Sequence, residues 1–521
     1  MATFVTNTLL VESMDILTKA ISPIFSLRQK QIEKIKLKAE EIQAKQLGRL
    51  LEKGCCTEWG KQHLFKDIHN YQDFIKQIPL QTYDDLKPYI NRMINGEKNI
   101  LWPANVTWYA KSSGTTNDKS KFIPVTQDIL HKCHYKGGFD SVALYLHNNP
   151  NSHFFSRKGL ILGGSHAPSP INASMHCGDL SAVLLQNLNP LVNLIRVPRK
   201  EIILMNEWES KIKAIVNSTW NKDVNSLSGV PSWMLVLIKA ILKKTGKRYL
   251  TDVWPNLEVF FHGGISFEPY RKQYKSLIPS DQMHYQETYN ATEGFFGIQD
   301  DPNDNSMLLM LDYGIFYEFI PIEELDKESP KALPIEEVKT NTNYALVIST
   351  MSGLWRYLIG DTICFTSVNP YKFVISGRTK HFINAFGEEL MVGNADKALA
   401  KACQQTGAIV REYTAAPLFL LEKAKGRHQW LIEFEQMPNS LDVFASILDQ
   451  SLKEINSDYE AKRYKEISLQ PLEVIAAHEG TFYQWLKQKE KLGGQHKIPR
   501  LSNNRNYLEE LLLISNQLCK G

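Results

Sequence analysis

Three short motifs combine residue types that could bind a nucleotide, and the first is the run SSGTTNDKSK at 112–121. It follows an apolar, strand-like stretch at 106–110. Hydroxyl side chains and backbone N–H groups around a glycine can converge on one anion, and a lysine adds a point charge. The spacing of a Walker A loop is absent. The motif therefore predicts a phosphate-binding loop of another type, with an ordinary polar loop as the alternative.

The second and third motifs offer groups for other parts of a nucleotide. In YNATEG at 289–294, the tyrosine can stack on a flat base, and Glu293 can bind Mg²⁺ through its carboxylate oxygens. In WRYLIGD at 355–361, Asp361 follows a glycine and can accept two hydrogen bonds from a ribose diol. Each motif alone also fits a turn, the second with a buried tyrosine and the third at the surface.

The order of the motifs along the chain is more specific than any one of them. A phosphate loop, Y-x-x-T-E, Gly-Asp, a Gly-Arg at a domain boundary and a late lysine follow one another in adenylate-forming enzymes. Within that superfamily the sequence resembles the Gretchen Hagen family of acyl acid amido synthetases over nearly the whole chain. The matching stretches are 78–89, 112–121, 289–294, 356–361 and 493–500.

The resemblance implies a role for each matching residue. The ATP phosphates would contact Ser112, Ser113, Gly114, Thr115, Thr116 and Lys121. The rest of the nucleotide would contact Gly264, Tyr289, Thr292, Asp361 and Arg378. Among these, Tyr289 would stack on adenine, Thr292 would contact the α-phosphate and Asp361 would hold the ribose. Glu293 would bind Mg²⁺, and Lys497 would be the catalytic lysine of a mobile domain.

The implied reaction uses ATP to activate a carboxylic acid. Attack of the carboxylate on the α-phosphorus makes an acyl-adenylate and releases pyrophosphate, whose charge Mg²⁺ and Lys121 would neutralise. An amine, such as an amino acid, would then attack the acyl carbon and release AMP. Two alternatives stay open: an acyl-CoA ligase with the same first step, and a catalytically silent nucleotide-binding interaction protein.

Two further stretches bear on this interpretation. Residues 229–234 and 262–265 lie between the phosphate loop and Y-x-x-T-E, where they could form an apolar wall for the acid. Plain core packing of Trp233 and Met234 explains the first stretch equally well.

Asp118 stands where the family's loop often has a second glycine. Because a carboxylate facing a triphosphate is unfavourable, we expect Asp118 to point away from the anion.

Length and composition predict a cytoplasmic protein of several domains. The chain has 521 residues, and its net charge of +4 gives no reason to propose nucleic acid as a partner. No apolar stretch reaches the ~20 residues that cross a membrane, and no signal-peptide pattern is visible. The seven cysteines include no C-x-x-C, which argues against a disulfide framework and a zinc site. The histidines and cysteine at 131–134 fit a polar helix better than a metal site.

The pattern along the chain predicts an α/β fold in two parts. We expect a large N-terminal α/β domain at 1–376, with mixed sheets of the adenylate-forming type, and a smaller, mobile α+β domain at 377–521. Residues 27–53 predict one long charged helix packed on the body, with a partner helix or a coiled coil as the alternative. Helices are also predicted at 203–218, 231–244, 394–406 and 441–455, and strands at 308–320, 344–350, 362–367, 409–421 and 428–436.

Overall fold

A computed structural model of the chain describes most of its residues. These are residues 16–112, 121–164, 169–172, 174–264, 267–325, 327–379, 382–383, 385–386, 388, 390–420, 425–456, 459–460, 463, 469–489 and 498–519. Within these ranges, no helix combines the length and the apolar character that crossing a lipid bilayer requires.

The long helix predicted at 27–53 is in fact two helices, α1 (Ile16–Lys36) and α2 (Ala39–Gly54). Lys38, the residue before α2, has φ −134° and ψ 40°, which lies outside helical geometry and interrupts the hydrogen-bond ladder. The apolar stripe continues across the break, so periodicity alone could not locate it.

A buried ion pair ties α1 to the rest of the protein. The guanidinium of Arg28 lies 2.7 Å from the carboxylate of Asp140 and 3.1 Å from that of Asp312. The hydroxyl of Tyr313 donates a further hydrogen bond to Asp140. Helix α1 therefore packs on the body of the protein, as the sequence predicts.

Further helices cover the sheets described below. They are α3 (Glu58–Gln62), α4 (Tyr71–Gln77), α5 (Tyr83–Ile94), α6 (Gln127–Ile129), α7 (Tyr135–Asn148), α8 (Leu180–Asn187), α9 (Lys200–Ile203), α10 (Trp208–Thr219), α11 (Pro231–Thr245), α12 (Glu268–Leu277), α13 (Val392–Thr406), α14 (Leu441–Ile455), α15 (Thr481–Gln488) and α16 (Asn506–Leu518). The predictions at 231–244, 394–406 and 441–455 match α11, α13 and α14. The helix predicted at 203–218 begins later, at α10, after the short α9.

The strands follow the predicted pattern with one correction. They are β1 (Trp108–Ser112), β2 (Lys121–Val125), β3 (Lys158–Ile161), β4 (Ser169–Pro170), β5 (His176–Gly178), β6 (Arg196–Val197), β7 (Val224–Gly229), β8 (Val259–Gly263), β9 (His284–Ala291), β10 (Gly294–Ile298), β11 (Met307–Leu309), β12 (Ile315–Pro321), β13 (Asn343–Thr350), β14 (Tyr357–Val368), β15 (Tyr371–Arg378), β16 (Phe382–Ile383), β17 (Leu390–Met391), β18 (Ile409–Leu420), β19 (Lys425–Gln436) and β20 (Glu473–Ala477). The strand predicted at 308–320 is two strands, because a turn with Gly314 at φ 70° separates β11 from β12.

Eleven strands form one mixed sheet in the order β12-β13-β14-β15-β11-β10-β9-β8-β7-β3-β6. The strands from β6 to β9 are parallel, and the pairing becomes antiparallel from β10 onward. A second sheet has the order β2-β1-β5-β4. The prediction of a large α/β domain with mixed sheets is confirmed.

Helices cover both faces of the parallel strands. On one face, Leu227 and Phe260 pack in a core with residues of α10, α11 and α12. On the other face, Val259 packs with Phe25 of α1 and Tyr145 of α7. Burial on both sides explains why these strands read as short, nearly continuous apolar runs in the sequence.

The C-terminal part has a sheet and a hydrophobic core of its own. Strands β18, β19 and β20 form a three-stranded sheet that packs with α13 and α14. It touches the larger domain where Lys239 pairs with Glu435 at 2.6 Å and where the Tyr483 hydroxyl donates to Glu209 at 3.1 Å. The α+β character matches the expectation from sequence, and movement of this part stays a prediction.

Helix α7 contacts the sheet through a glycine. The five residues before it, Leu130–His134, form a wider π-type turn. A Cβ atom added at Gly137 would lie 2.4 Å from the ring of Phe295 on β10, closer than atoms can approach. The absence of a side chain at Gly137 therefore lets α7 reach the sheet.

This contact predicts different effects for two adjacent substitutions. Gly137→Ala should lower the free energy of unfolding by about 1–3 kcal/mol, the usual cost of overpacking. Gly138→Ala is the matched control, since nothing lies within 4 Å of its added Cβ, and alanine favours a helix over glycine by roughly 0.5–1 kcal/mol. Urea titrations of both variants measure the difference. Equal effects would contradict the placement of α7 against β10.

Candidate active site

A cavity of about 1440 Å³ lies where the parallel strands end. Its lining includes Gly163 and Gly164 after β3, Gly229 at the end of β7, and Gly263 and Gly264 at and after the end of β8. A Cβ at Gly263 would lie 2.2 Å from the carbonyl oxygen of Thr288, so glycine is required for β8 to approach β9 there. The carboxyl ends of parallel strands are where open α/β sheets bind ligands.

The end of strand β9 presents side chains to the cavity from both of its faces. Successive side chains of a strand point to opposite faces. Tyr289 points toward Asp361, and we call this the Asp361 side. Asn290, the next residue, points toward His134 at the start of α7, and we call this the α7 side.

On the Asp361 side, a hydrogen bond joins the second motif to the third. The hydroxyl of Tyr289 donates to Oδ2 of Asp361 at 2.5 Å, and both side chains are buried. The tyrosine ring packs against Phe296, with ring centroids 4.9 Å apart. The two residues assigned to adenine and ribose are therefore in direct contact.

Glu293 is buried at the turn between β9 and β10. The hydroxyl of the adjacent Thr292 donates a hydrogen bond to its carboxylate. Burial raises the pKa of the Glu293 carboxyl, and nearby Asp361 raises it further, whereas the Thr292 hydrogen bond and Lys121 lower it. The structure thus brings together Lys121, Glu293 and Asp361, which are far apart in sequence.

Lys121 begins β2 and lies between two tyrosines. Its Nζ is 3.4 Å from the hydroxyl of Tyr357 and 5.6 Å from the ring centroid of Tyr83. The Tyr83 hydroxyl accepts a hydrogen bond from the backbone N–H of Phe122 at 2.8 Å. These contacts fix the position of the lysine by cation–π and polar interactions.

The stretch at 78–89, which the resemblance includes, packs against this arrangement. Gln81 pairs through its backbone with Arg356 and Leu358, at 2.9 and 2.8 Å. Arg356 forms a buried ion pair with Glu318 at 2.8 Å and donates to the carbonyl of Ile78 at 2.7 Å. The family resemblance includes this stretch but implies no role for it. The contacts of the stretch show that it positions Tyr83 and Tyr357 around Lys121.

The α7 side of the cavity is lined mostly by apolar and aromatic side chains. Phe25 of α1 stacks on Phe139 of α7, with ring centroids 4.3 Å apart, and on Phe155 at 5.4 Å. Ile161 and Phe261 line the cavity from the sheet. The sequence did not single out the aromatic residues, because they come from three separate segments.

The two stretches expected to form an apolar wall have different outcomes. Val230, Trp233, His262 and Gly264 line the cavity. Met234 does not line it and is wholly buried in the core with α11 and α12, so the packing alternative holds for this residue. Ile265 lies outside the described residues.

Glu287 is a cavity residue that the sequence interpretation missed. It precedes Tyr289 by two positions on β9 and therefore faces the same side of the strand. Burial raises the pKa of its carboxyl to about 7, partly offset by Arg271. The alternation of β9 could have identified it as a neighbour of Tyr289.

Several residues that the sequence predicts in the site lie outside the described residues. Among them are Ser113, Gly114, Thr115, Thr116, Asp118 and Lys497, and the side chains of Ser112 and Arg378. The backbone of Arg378 pairs with Asp361 between β15 and β14. Their assigned roles stay predictions.

The segment that follows Lys497 reaches the cavity. Ile498, Pro499 and Arg500 line it from the C-terminal part of the chain. Arg500 pairs with Asp396 at 2.7 Å and donates to the hydroxyl of Tyr270, on α12, at 3.3 Å. Both parts of the chain therefore contribute to the cavity wall.

Comparison with protein families matches three successive stretches of the chain. The GH3 family N-terminal domain matches residues 28–283, the GH3 family central domain 308–378 and the GH3 family C-terminal domain 393–506. Together they span most of the chain. The match includes both parts of the fold that line the cavity.

Curated and solved relatives agree with this match. The 4-substituted benzoates-glutamate ligase GH3.12 of Arabidopsis thaliana is 22% identical over 577 residues, covering 94% of this chain and 98% of the relative. The solved GH3.15 acyl acid amido synthetase has a TM-score of 0.76 at 18% identity, covering 94% of this chain and 96% of that one.

A second solved structure relates the fold to adenylate-forming ligases more broadly. 2-Hydroxyisobutyryl-CoA ligase in its postadenylation state has a TM-score of 0.53 at 13% identity, covering 98% of this chain and 94% of that one. At such low identity the likeness shows the fold alone. With three consecutive domain matches and a common cavity between the two parts, the chain belongs to the GH3 family of acyl acid amido synthetases.

Proposed function

We propose that the protein activates a carboxylic acid with ATP as its acyl-adenylate and transfers the acyl group to an amine, in the first place an amino acid. The observation that carries the proposal is the cluster of Lys121, Glu293 and Asp361, in which Glu293 and Asp361 line the cavity and Tyr289 is hydrogen-bonded to Asp361. ATP-dependent adenylation uses a lysine to neutralise phosphate charge and a carboxylate to bind the metal ion. A second carboxylate can accept hydrogen bonds from the ribose hydroxyls. The cytoplasm, which supplies ATP, is the proposed compartment.

The Asp361 side of the cavity suits the nucleotide. Asp361 can accept hydrogen bonds from a ribose diol while it remains bonded to Tyr289, because a carboxylate has about four acceptor sites. Lys121 would neutralise charge on the phosphates, together with the loop at 112–120. Stacking of adenine on Tyr289 would use the ring face, since the hydroxyl is already engaged.

Glu293 fits a magnesium ion by its chemistry. Mg²⁺ prefers carboxylate oxygens and usually keeps several waters and substrate phosphates as its other ligands. A buried carboxylate whose pKa is raised by burial gains most from a nearby cation, which favours its charged form. When bound, the ion would supply charge neutralisation for the phosphates.

The acid would occupy the α7 side, whose aromatic lining suits an apolar acyl group. Its carboxylate would attack the α-phosphorus, which forms a carbon–oxygen–phosphorus bridge and releases pyrophosphate. The amine would then attack the acyl carbon, and AMP would leave with the bridging oxygen. Lys497 would stabilise charge in one half-reaction after rotation of 377–521 about the Gly377 region.

The acceptor is proposed from family membership rather than from a described pocket. The GH3.12 relative is named for glutamate as its acceptor. An amino acid needs one cationic anchor for its carboxylate and room for its amine near the acyl carbon. Coenzyme A, the acceptor in the acyl-CoA ligase alternative, carries several phosphate charges and would therefore need a wider basic surface.

The adenylation step predicts the behaviour of two variants. Lys121→Ala and Glu293→Ala should each lose acid-dependent exchange between pyrophosphate and ATP by about 100-fold or more, the usual effect of removing one preorganised charge-stabilising group. The assay requires an acid that the parent protein accepts, found by screening acids for AMP release. Lys136→Ala is a matched control, since this lysine pairs with Asp312 and does not belong to the cluster of Lys121, Glu293 and Asp361.

Exchange at the parent's rate in both variants would contradict these site assignments. No exchange by the parent with any acid would favour the silent nucleotide-binding alternative.

Lys497→Ala, measured in the same exchange and in the second half-reaction, should slow one half-reaction much more than the other.

The acceptor is tested separately, with preformed acyl-adenylate. We expect an amide when the protein receives amino acids and no thioester when it receives coenzyme A, with the products identified by mass. Ready thioester formation without any amide would establish the acyl-CoA ligase alternative. The adenylation step would be unaffected by that result.

A further inference from the structure

Asn290 lies where the two sides of the cavity meet. It occupies the position between Tyr289, which faces the Asp361 side, and the Ala291-Thr292-Glu293 turn. Its side chain faces the α7 side and lines the cavity. A group at this point is next to both the proposed nucleotide and the proposed acid.

His134 fixes the orientation of the Asn290 carboxamide. The Nδ1 atom of His134 lies 2.9 Å from Oδ1 of Asn290. Because that oxygen can only accept, Nδ1 of His134 carries the proton and donates it. The carboxamide oxygen is thereby occupied, which leaves the Nδ2 group of Asn290 with two protons to donate elsewhere.

The Nδ2 group has no hydrogen-bond partner among the described residues. The carboxamide bonds only through its oxygen, and Nδ2 is absent from the buried unpaired atoms, so it is open to the cavity. The residue as a whole is half-buried. An N–H donor whose orientation is fixed by a hydrogen bond to His134 and which faces the cavity can stabilise charge that develops on a substrate oxygen.

Burial keeps His134 in the form that this arrangement requires. The ring is 3% exposed, and burial lowers the pKa of His134 to about 4. Its Nε2 atom is buried without a hydrogen-bond partner. A neutral imidazole with its proton on Nδ1 places no positive charge in the cavity wall, so its effect on a substrate passes through Asn290.

The π-type turn explains how His134 reaches this position. Its extra residue per turn shifts the side chains of Leu130–His134 relative to a regular α-helix. Cys133, the preceding residue, accepts a hydrogen bond from the backbone N–H of Phe295 at 3.1 Å. The turn thus contacts the Y-x-x-T-E stretch on both sides, at Asn290 and beyond Glu293.

We propose that Asn290, oriented by His134, donates a hydrogen bond to the oxygen of the acid that becomes the acyl carbonyl. The proposal rests on the adenylation and amide transfer proposed above and names a further residue for them. Asn290 would be a catalytic residue that contacts the substrate, and His134 a positioning residue that acts through it.

The donor would act most strongly when the amine attacks. The nitrogen of the amine forms a bond to the acyl carbon, and the electron pair of the carbonyl moves to its oxygen. Asn290 stabilises that negative oxygen. The carbonyl then re-forms, the carbon–oxygen bond to the phosphate breaks, AMP leaves with the electron pair, and the amine gives one proton to water.

The test uses the full chain and variants matched in size. Asn290→Leu and His134→Leu remove the donors, whereas His134→Asn restores an amide N–H near the position of Nδ1. Asn148→Leu and His147→Leu are controls, because both residues are exposed on α7 and neither lines the cavity. Single-turnover amide formation from preformed acyl-adenylate is measured with thermal unfolding midpoints and the KM for ATP.

We expect Asn290→Leu to slow amide formation by about 100-fold or more, with the KM for ATP unchanged. His134→Leu should also slow it, and His134→Asn should recover most of the loss at a similar unfolding midpoint. A parent-like rate in Asn290→Leu would overturn the proposal, and so would equal loss in His134→Leu and His134→Asn. If His134→Leu does not fold, the Asn290→Leu rate decides. Failure of the proposed function has a different signature, since the parent itself would then form no amide.

Discussion

The alternation of side chains at the end of β9 is the constraint on which the rest of the site depends. Tyr289 and Asn290 are adjacent, yet the pleat directs one to Asp361 and the other to His134. A shift of one residue in the pairing of β9 would exchange the two. Pairing with β8 on one side and β10 on the other prevents that shift. One strand end can therefore present different chemistry to two halves of a cavity.

The charged groups around the strand end are carboxylates that a nearby cation would stabilise. Glu293 is buried with a carboxylate neighbour, Asp361, and burial disfavours its charged form. Lys121 offsets this only in part, and it is itself held by Tyr83 and Tyr357. An unpaired charge in a protein interior costs several kcal/mol. In the proposed function, a magnesium ion would add positive charge beside the two carboxylates, and Lys121 would neutralise part of the phosphate charge.

Much of the fold and part of the site could be predicted from the sequence. Helices such as α14 and strands such as β13 follow from periodicity, and the motif order placed Lys121, Glu293 and Asp361 in one site. The break at Lys38 could not be predicted, because the apolar stripe crosses it. Likewise, the Tyr289–Asp361 hydrogen bond joins residues 72 positions apart, a contact that no local pattern contains.

The sequence interpretation also missed the aromatic lining of the α7 side and the position of His134, because both depend on contacts between separate segments. Phe25, Phe139 and Phe155 meet only because α1 and α7 pack on the same face of the sheet. In the sequence, His134 belongs to the run of two histidines and a cysteine at 131–134, which indicates polar residues on a helix rather than a metal site. The structure instead buries His134 at a position set by the π-type turn, with its Nδ1 within hydrogen-bond distance of Asn290.

The central claim is that the acid passes through an acyl-adenylate, and an isotope transfer tests it most directly. An accepted acid is labelled with ¹⁸O in both carboxylate oxygens and is converted with ATP and an amino acid. Mass spectrometry then follows the label. If the acid oxygen attacks the α-phosphorus, AMP carries one labelled oxygen, the amide carries the other, and pyrophosphate carries none. Label in inorganic phosphate with ADP as the nucleotide product, or amide formation with unlabelled AMP, would contradict the account.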